Sequence, residues 1–221
     1  MKILVIAPHM DDEVLGCGGT IVRHVENGDD LSVCFIAHRI YNHKFDKTKN
    51  DIEKHHAEST KKILGYKESV FFELNDERLD VCIQDIIIPL EEYIFKIKPD
   101  TVYCPFRGDN NQDHRAVFDA VRIVTRPFAA TFIKRLLMYE VPSSTEQSPP
   151  IYESSFLPNY YVNITIGIDK KIEAYRCYET EKRHYPHPRS EEAIKILAQK
   201  RGIEIGFNYA EAFIILRDKW E

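Results

Sequence analysis

A chain of 221 residues, 43% hydrophobic and 29% charged, is long enough for one large α/β domain and lies outside the disordered range. With 30 Lys and Arg against 35 Asp and Glu the net charge is −5, which excludes the basic footprint that grips nucleic acid. No run approaches the roughly 18 apolar residues of a membrane span. The apolar start stops at Pro8, too short for a signal-peptide core, and the 5 cysteines form no CxxC pair, so the expected compartment is a reducing cytoplasm.

Residues 2–7 (KILVIA) form a β-branched run, the pattern of a strand buried on both faces of a parallel sheet. Helical spacing begins at Asp11 or Asp12 and ends at Asn27-Gly28. Residues 31–37 read as a second strand. The polar, aromatic-dotted stretch 38–50 is too long for a connector and is a candidate substrate loop. A helix over 51–64 ends at Gly65, a strand over 69–74 follows, and apolar spacing over 81–97 predicts a helix interrupted by Pro89. Residues 101–104 form the fourth strand, 113–125 the next helix and 136–141 the fifth strand. The Ser/Pro-rich stretch 142–158 reads as irregular, 162–168 as an exposed strand, 170–180 and 190–201 as helices, and 213–216 as a last strand. Strands alternating with helices predict an α/β fold, a doubly wound, mostly parallel Rossmann-like sheet with helices on both faces. Residues 1–142 form its core and 143–221 a small C-terminal α+β elaboration, all in one domain.

Two polar clusters fall where such folds bind ligands, between a strand's carboxyl end and the next helix. The first is Pro8-His9-Met10-Asp11-Asp12-Glu13, and the second is Asp109-Asn110-Asn111-Gln112-Asp113-His114-Arg115. Alone, an Asp-Asp-Glu triplet at a helix start is a cap favoured by the helix dipole. Together the clusters offer two imidazoles and a carboxylate, the ligand set of a catalytic zinc with one position left open. His9 and Asp12, three apart, converge with His114 on one ion. Asp11 is left over as a general base, and Asp113 as a group that orients a ligand. Nitrogen and carboxylate ligands also accept Fe²⁺ and other divalent ions. Gly16, Gly18 and Gly19 lie behind the carboxylates, too deep in the helix for a dinucleotide fingerprint, and fit close packing on the sheet better.

The first cluster resembles the (P/A)-H-x-D-D-E signature of the LmbE-like, or PIG-L, zinc-dependent N-acetyl-sugar deacetylases, continuing into Leu15-Gly16 and Gly18-Gly19-Thr20. The second resembles that family's D-x-N-x-D-H-R motif through Asp109, Asn111, Asp113, His114 and Arg115. Leu64-Gly65 and the turn at residues 76–79 fall where the family has them, so the likeness spans residues 2–142. It implies that His9, Asp12 and His114 hold zinc and that Asp11 is the base. It further implies a substrate that is an N-acylated amino sugar or glycoconjugate of the N-acetylglucosamine type, and a homo-oligomer. The tail resembles one branch of the family in Tyr185-Pro186-His187-Pro188-Arg189-Ser190 and Tyr209-Ala210-Glu211-Ala212-Phe213. There His187, fixed between two prolines, is a candidate oxyanion donor or acid, and Arg189 and Tyr209 are candidate substrate contacts. Arg78, after the third strand, is a candidate for a hydroxyl or phosphate of the substrate, and Asn111 stands beside the ligands where family members often carry His.

The chain departs from the family at the start of the second helix. Asp51-Ile52-Glu53, with His55 and His56 one turn on, stands where several members place a substrate-binding arginine. Two rival readings follow from the same residues. One is a nucleotide or sugar-nucleotide binding protein with Mg²⁺ at Asp11 and Asp12, which the histidines oppose because magnesium prefers oxygen ligands. The other is a metal-stabilised interaction module without hydrolytic activity.

Overall fold

The chain begins with the alternation that a strand covered on both sides requires. In β1 (Lys2–Ala7), Ile3, Val5 and Ala7 enter one apolar layer while Leu4 and Ile6 enter the other. The computed structural model describes residues 1–41 and 43–220. After β1 come α1 (Asp12–Glu26), β2 (Asp30–His38), a hairpin of β3 (Ile40–Tyr41) and β4 (Lys44–Phe45), α2 (Lys47–Leu64) and β5 (Glu68–Asn75). Next are α3 (Ile83–Ile97), β6 (Thr101–Pro105), α4 (Gln112–Val124) and β7 (Arg135–Tyr139). The tail adds β8 (Tyr160–Asn163), α5 (Ile168–Tyr175), α6 (Glu191–Ile203) and β9 (Ala210–Asp218).

Seven strands pair in the order β5-β2-β1-β6-β7-β9-β8, the first five parallel, with β9 antiparallel to both β7 and β8. Helices α1, α2 and α5 bury Val14, Ile21, Ala57, Leu64 and Ile172 in one layer. On the other side α3 and α4 bury Ile86, Leu90, Val117 and Val121. The doubly wound, mostly parallel expectation is therefore met. From β1 the chain steps outward through β2 to β5, then returns to β6 and steps the other way. That reversal opens a crevice at the carboxyl ends of β1 and β6.

Several local expectations are corrected. The stretch 38–50 is mostly structured: β2 runs to His38, the β3–β4 hairpin follows, and α2 starts at Lys47, four residues before Asp51. Asp46 sets that start, because its side chain accepts the Lys49 N–H at 3.1 Å. Asn42, part of the same candidate loop, lies outside the described residues. Pro89 does not interrupt α3, whose buried face of Ile86, Ile87, Leu90, Tyr93 and Ile94 carries the helix through it. The strand expected over 162–168 lies instead at β8, because Asn163 accepts the Thr165 N–H at 3.0 Å and turns the chain into α5. Helix α5 is correspondingly short, ending at Tyr175 rather than near Thr180, and β9 is longer than its apolar centre implied.

The glycines after the first cluster serve packing. A Cβ on Gly16 would lie 2.3 Å from the Tyr139 ring, and one on Gly19 2.6 Å from Ile164. α1 therefore sits directly against β7 and the turn after β8, with no room for a pyrophosphate. The tail is tied to α1 by a buried ion pair. Lys171 Nζ donates to Glu211 Oε1 at 2.6 Å and to the Leu15 carbonyl at 2.8 Å, and Glu211 also accepts the Gly19 and Thr20 N–H groups. Lys171→Met strands the buried Glu211 charge and should cost about 3–5 kcal/mol in urea unfolding. A loss under about 1 kcal/mol contradicts this account of the tie.

Candidate metal centre

β1 ends at Ala7 and the chain turns sharply into α1, which places His9 and Asp12 at the crevice. Asp11 makes the turn at φ 126°, a conformation rare for a non-glycine residue and costing about 1–3 kcal/mol. Although Asp11 occupies the N-cap position of α1, its side chain makes no capping hydrogen bond. The simple cap reading of the Asp-Asp-Glu triplet thus fails. Asn111, by contrast, is a working cap of α4: its Oδ1 accepts the Asp113 N–H at 2.8 Å.

The structure brings His9, Asp12 and His114 together. Asp12 Oδ2 lies 3.2 Å from His9 Nδ1 and 3.2 Å from His114 Nε2, and the three offer ligand atoms within 4.8 Å of one another. Their exposures are 5%, 0% and 1%, so these are not solvated surface groups. Each imidazole is backed by carboxylates on its far side. His9 Nε2 donates to Asp113 Oδ2 at 3.1 Å and lies 3.0 Å from Asp76 Oδ1. His114 Nδ1 lies 3.3 Å from Asp109 Oδ1, in ion-pair range though off the line of a well-formed hydrogen bond. Asp113 is itself fixed by the Glu77 and Leu79 N–H groups at 2.7 and 3.1 Å. Asp109 accepts from Thr145 Oγ1 at 2.6 Å, from Ser144 Oγ and from the Asn111 N–H at 2.8 Å.

His9, Asp76 and Asp113 also show ligand-like spacing, through the other ring nitrogen of His9. That group is accounted for by hydrogen bonds, since both Asp113 oxygens already accept backbone N–H groups. The His9–Asp12–His114 group differs. It has two nitrogen donors, and Asp12 Oδ1 is buried without a hydrogen-bond partner among the described residues. This donor set fits a divalent ion such as zinc.

The crowding of carboxylates and imidazoles in this buried place shifts several of them. Burial opposes the Asp12 carboxylate, but His114 and His9 overcome it and hold Asp12 well below the usual carboxylate range. Burial also opposes both imidazolium forms. The carboxylates of Asp113, Asp12 and Asp76 nevertheless push His9 well up, and Asp12 with Asp109 pushes His114 up to about 9. Asp11 behaves differently. Burial raises it to about 7, with Arg189 opposing and Asp12 reinforcing the shift.

The other expected residues fall in several places. Arg189 reaches the centre, but it donates to Asp11 Oδ2 at 2.8 Å and to Glu181 Oε2 at 2.6 Å rather than standing open. His187 is half-buried, and its Nδ1 accepts the Arg189 N–H at 3.0 Å. Among the described contacts its ring meets none of the three clustered residues. Arg78 is exposed and lines a pocket with Glu73, Val81 and Asp85 on the α3 side. Tyr209 packs beside Ile164 and Ala198, and His55 is exposed. His56 sits 3.4 Å from Glu53. Residue-by-residue reading missed Arg39, a mostly buried guanidinium at the end of β2 that pairs with Glu181. Burial opposes its charge, but Asp11, Glu181, Asp76 and Glu53 hold it protonated. Asp76 and Glu181 were given no role either, and Asp109 and Glu13 stood in the two clusters without one. Only position after a strand end could have flagged Arg39 and Asp76.

The chain belongs to the PIG-L family, whose model, described as GlcNAc-PI de-N-acetylase, matches residues 4–125. It is a family of deacetylases. The chain is 30% identical over 176 residues to the uncharacterized deacetylase YaiS of Escherichia coli (strain K12), covering 76% of this chain and 89% of that protein. It is 25% identical over 224 residues to the diacetylchitobiose deacetylase of Thermococcus kodakarensis, covering 95% and 81%. Among solved structures, the conserved protein TT1542 from Thermus thermophilus superposes with a TM-score of 0.79 at 23% identity, over 99% of this chain and 96% of that one. That likeness extends the shared fold through the tail.

Asp109 is the hub between the α4 entry and the segment after β7. Asp109→Ala leaves the Ser144 and Thr145 hydroxyls and the Asn111 N–H without their acceptor, at a cost of about 2–3 kcal/mol. Urea unfolding with an unchanged slope checks this. Wild-type stability would show that the contacts carry no weight.

Proposed function

We propose that this protein is a metal-dependent hydrolase that removes an N-acyl group, in the first instance acetyl, from an amino sugar or its conjugate. His9 Nδ1, Asp12 Oδ2 and His114 Nε2 hold the ion, zinc by preference, with Fe²⁺ also compatible with the donors. The observation that carries the reading is Asp12 Oδ2 at 3.2 Å from both imidazoles, beside a buried Asp11 whose side chain pairs instead with Arg189. Support for the amino-sugar class comes from the family and from the diacetylchitobiose deacetylase among its relatives.

A divalent ion held there would polarise the amide carbonyl and make a nearby water more acidic. Asp11 accepts the proton as water adds to the carbonyl carbon, then returns it to the nitrogen as the C–N bond breaks, giving a carboxylate and an amine. Asp113, with Asp76, holds the His9 ring by its Nε2–H, and Asn111 fixes the start of α4 that carries Asp113 and His114. His187 accepts at Nδ1, which places its proton on Nε2, where it serves as the donor to the developing oxyanion. Arg78, exposed in the turn whose Glu77 and Leu79 N–H groups hold Asp113, is available to a distal part of a conjugate. The donors themselves oppose the magnesium–nucleotide alternative at Asp11 and Asp12, because Asp12 Oδ2 sits between two imidazole nitrogens and magnesium prefers an all-oxygen shell.

Amine release from N-acetylglucosamine, diacetylchitobiose and N-acetylated nucleotide sugars, with and without a chelator, tests the reading. Release that the chelator abolishes is expected, and chelator-resistant release contradicts metal dependence. Asp11→Asn should keep the metal by elemental analysis and lose about 10²–10⁴-fold in kcat. His114→Ala should lose the metal first. An Asp11→Asn protein with full turnover removes Asp11 from the mechanism.

A further inference from the structure

The tail grips Asp11 at both its backbone and its side chain. Tyr178 donates its hydroxyl to Glu13 Oε1 at 2.6 Å, and Glu13 Oε2 accepts the Asp11 N–H at 3.1 Å. At the carboxylate, Asp11 Oδ2 accepts from Arg189 Nη1, while Asp11 Oδ1 is buried with no hydrogen-bond partner among the described residues. Arg189 is itself heavily restrained. Its Nη1 also donates to Glu181 Oε2, and its Nε donates to Ser143 Oγ at 2.6 Å. Glu181 accepts Arg39 on its other oxygen. The Tyr175 hydroxyl lies 2.8 Å from the Glu181 carbonyl and 2.7 Å from the Arg189 carbonyl, so the two residues are pinned to the same support.

We propose that Arg189 and Glu181 are positioning residues for the general base, with Arg189 holding Asp11 Oδ2 so that Oδ1 is the oxygen that takes and returns the proton. This rests on the reading of Asp11 as base. A residue whose Nη1 meets two buried carboxylates and whose Nε meets a serine is oriented toward the protein rather than toward a substrate. A carboxylate bonded on one oxygen has its other oxygen fixed in direction, and a base that wanders by about 1 Å forfeits about 10²-fold in rate. Glu181 balances the two arginines on either side of it, so Arg189 stays on Asp11 instead of being repelled by Arg39. The family match ends at residue 125, so Arg189, Glu181 and Tyr178 come from the part of the chain beyond it, whereas Arg39 and Glu13 lie within it.

The test uses full-length Arg189→Met, Arg189→Lys and Glu181→Gln, with diacetylchitobiose and N-acetylglucosamine as probes. Arg189→Met should retain the metal and lose about 10²-fold in kcat with KM within about threefold, and added guanidinium should restore part of kcat. Arg189→Lys should fall between wild type and Arg189→Met, and Glu181→Gln should shift kcat in the same direction but less. Calorimetric affinity of diacetylchitobiose for Asp11→Asn should be unchanged when Arg189→Met is added. A raised KM or lost affinity with kcat preserved makes Arg189 a substrate anchor and overturns the proposal. Urea unfolding of Asp11→Asn, Arg189→Met and the double variant decides the pairing without any turnover. Non-additivity of more than about tenfold in the unfolding constant is expected, and additivity overturns it. If wild type hydrolyses neither probe while the unfolding cycle is non-additive, the deacetylase reading suffers and the pairing stands.

Discussion

A single carboxylate oxygen, Asp12 Oδ2, is the point on which the centre turns. It lies in a fully buried position, accepts the His9 N–H at 2.9 Å, and stands 3.2 Å from a ring nitrogen of each histidine. Unpaired, such a buried charge would cost several kcal/mol. The two imidazoles offset that cost, and each is held by further carboxylates: Asp113 and Asp76 behind His9, Asp109 behind His114. Charge therefore alternates outward in layers, carboxylate, imidazole, carboxylate. The outermost layer is anchored to backbone N–H groups at residues 77, 79 and 111 and to the hydroxyls of Ser144 and Thr145.

This layering requires the reversal of strand order between β1 and β6. Neighbouring parallel strands that lead to helices on opposite faces bring two loops, a hundred residues apart in sequence, to one crevice. The packing glycines of α1 keep the helix close to β7, so that Asp12 in its first turn stays at the crevice floor. The tail then closes around the strained Asp11. Arg189, itself held by Glu181, contacts it directly, Tyr178 reaches it through Glu13, and the Lys171–Glu211 pair locks the tail against α1.

Much of this is legible in the sequence because it is local. The apolar runs 2–7 and 31–37, the helix stop at Gly65 and the two polar clusters after strand ends each carry their signal within a few residues. Pairing the clusters needs only the rule that ligands gather at carboxyl ends of parallel strands. What stays hidden is held by contacts between distant residues. Arg39 looks like one polar residue in a loop, and its significance lies in Glu181, more than a hundred residues on. Nothing in the sequence around Arg189 names Asp11, 178 residues away, as its partner. Local chemistry also misleads in one place, where Asp46, an inconspicuous loop residue, starts α2 early; Asn111, beside the ligands in sequence, also caps the helix that carries Asp113 and His114.

The proposed hydrolysis needs one ion held by His9, Asp12 and His114. Anomalous diffraction from crystals of the metal-loaded protein, recorded on both sides of the zinc absorption edge, locates that ion directly. The expected result is a single peak enclosed by His9 Nδ1, Asp12 Oδ2 and His114 Nε2. A peak between His9 Nε2, Asp76 and Asp113, or no peak at the triad in protein shown to be loaded, contradicts it.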